Sequence, residues 1–202
     1  CQIVVRADSE ISTVEELEGH RVSVGEEESG TKQNALQILA AYGLNERLVE
    51  EVSLNYTEAA KELENGSIDA FFCTAGAQTA AIANLAQRTG IRFLNVDGAA
   101  AARLKKSYPV YDSCIIAAGT YPGQEEDVST VGVKAVLLAS DSVSAEVVEE
   151  LTALLFEEQQ ELDFALPVEL ITEADAAADG LPVPFHKGAE RYYESRGEKS
   201  EN

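Results

Sequence analysis

RVSVGEEESGTKQNALQILAAYG, residues 21–43, changes its apolar period once along its length. Val22 and Val24 alternate with polar neighbours as in a strand over 21–24, and residues 25–30 are then small or polar. From Thr31 onward Ala35, Leu36, Ile38, Leu39 and Tyr42 recur at helical spacing, and Gly43 stands where a left-handed C-cap ends such a helix. Strand, short loop and amphipathic helix together make the first two parts of a βαβ unit. The sequence downstream repeats the pattern: strands are expected at 51–54, 68–73 and 91–96, and helices at 57–64, 77–88 and 99–107. Gly66, Gly90 and Pro109 act as stops. Upstream, Ser12-x-x-Glu15 has capping-box form for a short helix closed by Gly19. This alternation with short loops predicts a doubly wound α/β unit, a mostly parallel sheet covered by helices on both faces.

The rhythm breaks after Pro109, and the regular unit ends near Tyr111. Residues 111–118 read as extended, Pro122-Gly123 signals a turn, and 131–139 reads as a strand. Ser144 then caps a long helix in which Val147, Leu151, Leu154 and Leu155 share one face, with Glu146, Glu149, Glu150, Glu157 and Glu158 around the rest. A final short helix carries Ala189, Tyr192 and Tyr193.

The 202 residues include 36 acidic and 15 basic side chains, a formal net charge of −21 that argues against nucleic-acid or anionic-membrane partners. With 45% apolar residues the chain has the composition of a folded protein rather than an acidic tail. No apolar run approaches the ~20 residues of a membrane-spanning helix. Between Lys134 and Lys187 there is no basic residue, so the acids of the long helix lack local cations. Either a solvated face or a high-salt habitat or basic partner accounts for that. The chain opens on the strand-like Cys1-Gln2-Ile3-Val4-Val5 without an initiator Met or a leader-type segment, so it is expected to be less than a complete translation product. Cys1, Cys73 and Cys114 have no metal-type spacing; they read as free thiols, with a Cys73 to Cys114 disulfide as the alternative.

In an open parallel sheet, ligands gather at the carboxyl ends of strands, where helix N-termini present unpaired N–H groups. Two loops fit. One is Gly25 with Ser29, Gly30 and Thr31, leading into the helix that carries Asn34; the other is Thr74, Ala75 and Gly76 after the most apolar strand. Backbone donors there suit a carboxylate, with Ser29 and Thr31 adding hydroxyls; the competing reading makes Ser29 or Thr31 a plain N-cap. Gly25 and Gly30 have phosphate-loop spacing, but the next pair is Thr31-Lys32 rather than Lys then Ser or Thr, and three glutamates would face the phosphates. Ser29-x-x-Lys32 lacks the companion elements of the serine acylases. His20 and His186 sit in no zinc or Cys-His spacing. No catalytic constellation, metal site or cofactor is expected.

The segments Gln2-Ile-Val-Val-Arg6-Ala-Asp-Ser9, Val22-Ser-Val-Gly25 through Ser29-Gly30-Thr31, and Gly66-Ser-Ile-Asp69-Ala-Phe-Phe72 with Thr74-Ala-Gly76 resemble the TAXI family of TRAP-transporter solute receptors. So do Ala118-Gly119-Thr120-Tyr121-Pro122-Gly123-Gln124 and Phe185-His186 with Gly188-Ala189-Glu190-Arg191-Tyr192-Tyr193. The matches run in order from Gln2 to Gly197. Ala117 and Lys187 stand where the family often has Pro. The resemblance implies a two-lobed periplasmic-binding-protein-like fold (type II), with residues 13–111 as the second lobe and residues 1–12 and 112–202 as the remaining part of a first lobe whose N-terminal portion is missing. It implies an extracytoplasmic monomer, without enzymatic activity, that captures a small organic anion, a glutamate-like amino acid or a dicarboxylate, and delivers it to TRAP transporter membrane subunits. Ser29, Gly30, Thr31, Asn34, Thr74, Ala75 and Gly76 are the expected ligand contacts. Thr120 and Tyr121 either join them or shape the hinge. The alternatives are an α/β enzyme whose catalytic residues lie in the missing part and an extracytoplasmic ligand-sensing domain.

Overall fold

Gln2–Arg6 (β1) is buried at its first four positions, so the strand needs cover on both faces and partners on both edges. The computed structural model, which describes residues 1–157 and 183–195, gives it both. With Arg21–Ser23 (β2), Glu50–Val52 (β3), Ala70–Cys73 (β4) and Ile91–Phe93 (β5), it forms one sheet of order β3-β2-β4-β1-β5. β2 runs parallel to β3 and to β4, whereas β1 runs antiparallel to β4 and β5. The sheet is therefore mixed, with one reversed strand in its interior.

Residues 1–12 are expected to go with 112–202; in the sheet, β1 fills the gap between two strands of the 13–111 segment. Ile3 and Val5 pack into the core on one face and Val4 into the core on the other. No edge position would bury both sets.

Helices cover both faces, as the alternation predicts. Gly30–Ala41 (α1) and Gly98–Ser107 (α4) bury Ala35, Ile38, Leu39, Ala101 and Leu104 in one core. Tyr56–Glu64 (α2) and Ala80–Arg88 (α3) bury Ala59, Ala60, Leu63, Ile82 and Leu85 in the other. α1 ends in a Schellman motif: Leu44 N donates to Leu39 O (2.9 Å) and Gly43 N to Ala40 O (3.0 Å), with Gly43 at φ +82°. α2 starts in a capping box between Asn55 and Glu58. The Ser12-x-x-Glu15 signal yields only a 3₁₀ turn, Glu15–Leu17, and Glu16 rather than Glu15 caps it by accepting from Ser12 N (2.6 Å) and Thr13 N (3.1 Å).

Tyr111–Ile116 (β6) and Val128–Val133 (β7) pair as an antiparallel ribbon from Tyr111↔Val133 to Ile116↔Val128. β7 thus begins earlier than the expected 131–139. Its register is set by the connecting loop, where Gln124 Nε2 donates to Ile116 O, Ala117 O and Glu126 O, and Ala118 N donates to Asp127 Oδ1. Cys1, Cys73 and Cys114 are free thiols; Cys73 is buried and Cys114 exposed, so the alternative of a disulfide between them is not realised.

The chain divides into two units, Cys1–Lys134 and Ala135–Asn202. In the second, Ala145–Glu157 (α5) packs on Lys187–Ser195 (α6). Ser144 Oγ accepts from Val147 N as the expected cap (3.3 Å). The packed face differs from expectation: Val148 and Thr152 are buried, whereas Val147, Leu151 and Leu154 are about half exposed. Gly188 decides this, since a Cβ there would stand 2.3 Å from Ala145 O and 2.7 Å from Glu149 N. Phe156 stacks on Tyr192 with centroids 5.7 Å apart. Glu158 lies outside the described residues. Among the described residues no helix is long and apolar enough to cross a membrane.

Arg191 reaches Glu146 across this pair at 3.5 Å, an exposed contact, and among the described residues Glu149 and Glu150 form no ion pair. Repulsion within a chain of net charge −21 should therefore be relieved by screening. Raising NaCl from about 0.05 M to about 1 M, which shortens the Debye length to roughly 3 Å, should raise the melting temperature by several degrees. A flat response in a differential scan would reduce the acids to a solvated face.

Candidate functional site

Parallel pairing of β2 with β4 puts their carboxyl ends on the same side of the sheet, so the loop after Ser23 and the loop after Cys73 lie side by side. Gly25 turns the first loop at φ +99°, and an added Cβ would meet Thr31 Cγ2 at 2.8 Å and Ser29 Oγ at 3.1 Å. The loop backbone is thus folded tightly beneath the first turn of α1. Ser29 is the N-cap, and its Oγ accepts from Lys32 N at 3.1 Å, which leaves its own proton to donate outward. Gly30 is exposed, with open space around its Cβ position. The N–H groups of Gly30 and Thr31 precede any intrahelical acceptor.

The expected residues of the two loops are joined by hydrogen bonds. Asn34 Nδ2 donates to Thr74 Oγ1 (3.2 Å), and Thr74 Oγ1 donates to Cys1 Sγ (3.6 Å). Thr31 Oγ1 meets Tyr56 OH at 2.6 Å, and Tyr56 OH donates to Thr74 O at 3.0 Å. Tyr111 OH lies 2.8 Å from both Asn34 Oδ1 and Gln37 Oε1. The phenol has one proton for these two acceptors, so the Gln37 amide is best read turned over, donating to Tyr111 while Tyr111 donates to Asn34. Burial pushes Tyr111 up to about 12 and the Cys73 thiol up to about 11, and it also raises Tyr56. All three stay protonated at neutral pH, so the phenols act as donors.

Ala75 and Gly76 are held from behind. Gln2 Nε2 donates to Ala75 O (3.3 Å) and Gly76 O (3.4 Å), and Thr79 Oγ1 donates to Gly76 O (2.8 Å). Tyr121 OH donates to Gln2 Oε1 at 2.6 Å and accepts from Thr79 N at 3.1 Å. Tyr121 is 1% exposed, its ring 5.2 Å from that of Phe93. Thr120 Oγ1 donates to Ala117 O within its own turn. Tyr121 therefore supports the second loop from the interior, and Thr120 closes the turn of the β6–β7 connection.

Charge near the loops is mostly negative. Glu26, Glu27 and Glu28 lie in the first loop, and Lys32 pairs with Glu27 at 2.6 Å, which Ser53 Oγ also contacts at 2.7 Å. Lys32 and Ser53 hold the Glu27 carboxyl below its usual range. Two surface clefts lie elsewhere. One of about 640 Å³ is lined by Arg6, Asp8, His20 and Asp69, with His20 Nδ1 3.2 Å from Asp69 Oδ2; the other, about 390 Å³, is lined by Ser12, Tyr42, Asp97 and Arg103. Neither includes an expected ligand residue.

Tyr56, Tyr111, Gln2, Gln37 and Thr79 were not singled out in the sequence. For Tyr56 a signal existed: Asn55-x-x-Glu58 is a capping box, which places Tyr56 at the first helical position after β3, on the same side of the sheet.

Residues 1–197 match the profile of the NMT1-like family. Among solved structures, the periplasmic aliphatic sulphonate binding protein SsuA from Escherichia coli is similar at 18% identity and a TM-score of 0.49, over 96% of this chain and 51% of that one. The alkanesulfonate-binding protein SsuA from Xanthomonas axonopodis pv. citri, bound to MOPS, is similar at 19% identity and a TM-score of 0.48, over 96% and 54%. An ancestral arginine-binding protein bound to glutamine is similar at 18% identity and a TM-score of 0.43, over 81% and 55%. The chain thus spans about half the length of these proteins.

Proposed function

The chain belongs to the NMT1-like family, and from that premise we propose that it forms part of a two-lobed, extracytoplasmic solute-binding protein of TRAP type that captures a small carboxylate. The observation that carries this reading is the pairing of the two loops at one end of the sheet. There the Ser29 hydroxyl and the first N–H groups of α1 are open to a ligand, and the loop at Ala75 and Gly76 is pinned opposite. The ordered TAXI-type segments support the transporter assignment. A glutamate-like amino acid suits the site better than a plain dicarboxylate, because Glu26 and Glu28 would attract its ammonium, which offsets the second carboxylate that both ligands carry. Ser29, Gly30 and the Thr31 amide are the direct contacts in this reading, with Ala75 and Gly76 facing them.

L-Glutamate should stabilise the chain saturably, by about 2.7 kcal/mol at one hundred times its Kd, and be recovered unchanged. Ser29→Ala should weaken that binding by about 1–3 kcal/mol in a calorimetric titration, since it removes a donor to a charged group. Chemical conversion of the glutamate would favour an enzyme, and an unaltered Kd would remove Ser29 from the site.

A further inference from the structure

Thr31 looks like a ligand-contacting hydroxyl in the sequence, but its proton has another destination. Tyr56 has a single hydroxyl proton and gives it to Thr74 O at 3.0 Å. The 2.6 Å contact between Thr31 Oγ1 and Tyr56 OH must then be filled by the Thr31 proton. Thr31 is 6% exposed, so it has no second donor to turn toward a solute. Its hydroxyl, Tyr56 and Thr74 form a directed chain, Thr31 to Tyr56 to the Thr74 carbonyl, that spans from the loop after β2 to the loop after β4. Tyr56 itself is fixed by its place in the first turn of α2, behind the Asn55 capping box.

We infer that Tyr56 is a positioning residue of the proposed site: through the Thr31 hydroxyl and the Thr74 carbonyl it sets the separation of the two loops, and the Thr31 hydroxyl acts on a ligand only through it. This rests on the solute-binding reading above. Thr74 is the junction, since its hydroxyl is also engaged on both sides, accepting from Asn34 and donating to Cys1 Sγ. Among the hydroxyls of the two loops, Ser29 therefore keeps a free proton, while those of Thr31 and Thr74 are engaged.

The test is a mutant cycle on the full chain with L-glutamate as the probe. Tyr56→Phe keeps the ring and loses both hydrogen bonds, and should raise Kd about tenfold, the equivalent of one lost hydrogen bond. Thr31→Val should do the same, Thr31→Ser should restore wild-type affinity, and Tyr56→Phe with Thr31→Val should be no weaker than either alone. Ser29→Ala, acting directly, should multiply with Tyr56→Phe. An unchanged Kd for Tyr56→Phe, or multiplying effects of the 31 and 56 substitutions, overturns the inference. If the wild-type chain binds no L-glutamate, the assignment of a glutamate-like ligand to this chain fails on its own terms, and amide exchange still decides the positioning role. Tyr56→Phe should then speed exchange in both loops, 25–31 and 74–79, relative to α4; a change confined to α2, or none, overturns it.

Discussion

Alanine in place of Tyr121 should lower the unfolding free energy of the full chain by about 4 kcal/mol, near the top of what one side chain contributes. The ring is 1% exposed and packs on Phe93, so its removal leaves a cavity in the core that Ile116 and Val128 share. The hydroxyl adds a polar part. Without it, Gln2 Oε1 and Thr79 N lose their partner in the interior, and Gln2 is the side chain that holds Ala75 and Gly76. Tyr121→Phe isolates that part and should cost about 1–3 kcal/mol, the penalty for buried groups left unpaired. Urea unfolding of the two variants separates the terms. A loss below about 1 kcal/mol for Tyr121→Ala would mean that the β6–β7 connection repacks and that Tyr121 is a surface residue of the hinge.

The second large effect is expected at Gly25. Its φ of +99° is costly for any residue with a Cβ, by about 1–2 kcal/mol. The added atom would also stand 2.8 Å from Thr31 Cγ2 and 2.9 Å from Thr31 Cβ, which must shift. Together Gly25→Ala should destabilise by about 3 kcal/mol, the clash supplying the remainder. The displaced residue is Thr31, so L-glutamate affinity should fall in the same variant. Gly30→Ala is the control: nothing lies within 4 Å of its Cβ position, and its backbone is helical. It should leave stability within about 0.5 kcal/mol of wild type, as most open surface changes do. Equal losses in the two variants would point to a general intolerance of the loop rather than to the contact with Thr31.

The sequence made α1 readable because its signals agree: a Ser N-cap, an apolar stripe and a glycine at the left-handed position all mark the same residues. The alternation of strands and helices likewise gave the parallel trio β3-β2-β4 and helices on both faces. The place of β1 was not readable. Gln-Ile-Val-Val-Arg states that a strand is buried on both faces, and says nothing about which strands flank it or in which direction. α5 misled for a related reason. Val147, Leu151 and Leu154 form a good apolar stripe, but the backbone approach permitted by Gly188 selected the neighbouring face.

At the loops, residue type picked out Ser29, Thr31, Asn34 and Thr74, and the structure joins the last three through Tyr56, Tyr111 and direct bonds. Their roles were not legible, because they depend on where each hydroxyl proton goes. That requires partners from β6 and α2, far away in sequence. Tyr121 shows the same limit: in the sequence it either contacts ligand or shapes the hinge, and its bond to the interior Gln2 appears only in the structure.

The reversed strand in the middle of the sheet also governs the order in which the protein can assemble. β1 precedes its partners in the chain, with Gln2 waiting for Cys73 and Arg6 for Ile91. On the ribosome, β2 and β3 can join through their local crossover while β1 has nothing to pair with until β4 emerges, and the other edge of β1 stays unsatisfied until β5 follows. Pairings of such long sequence separation slow folding and prolong exposure of sticky edges. Newly made chains should thus be most prone to aggregate, and most dependent on chaperones, in the interval between emergence of Cys73 and closure of β5.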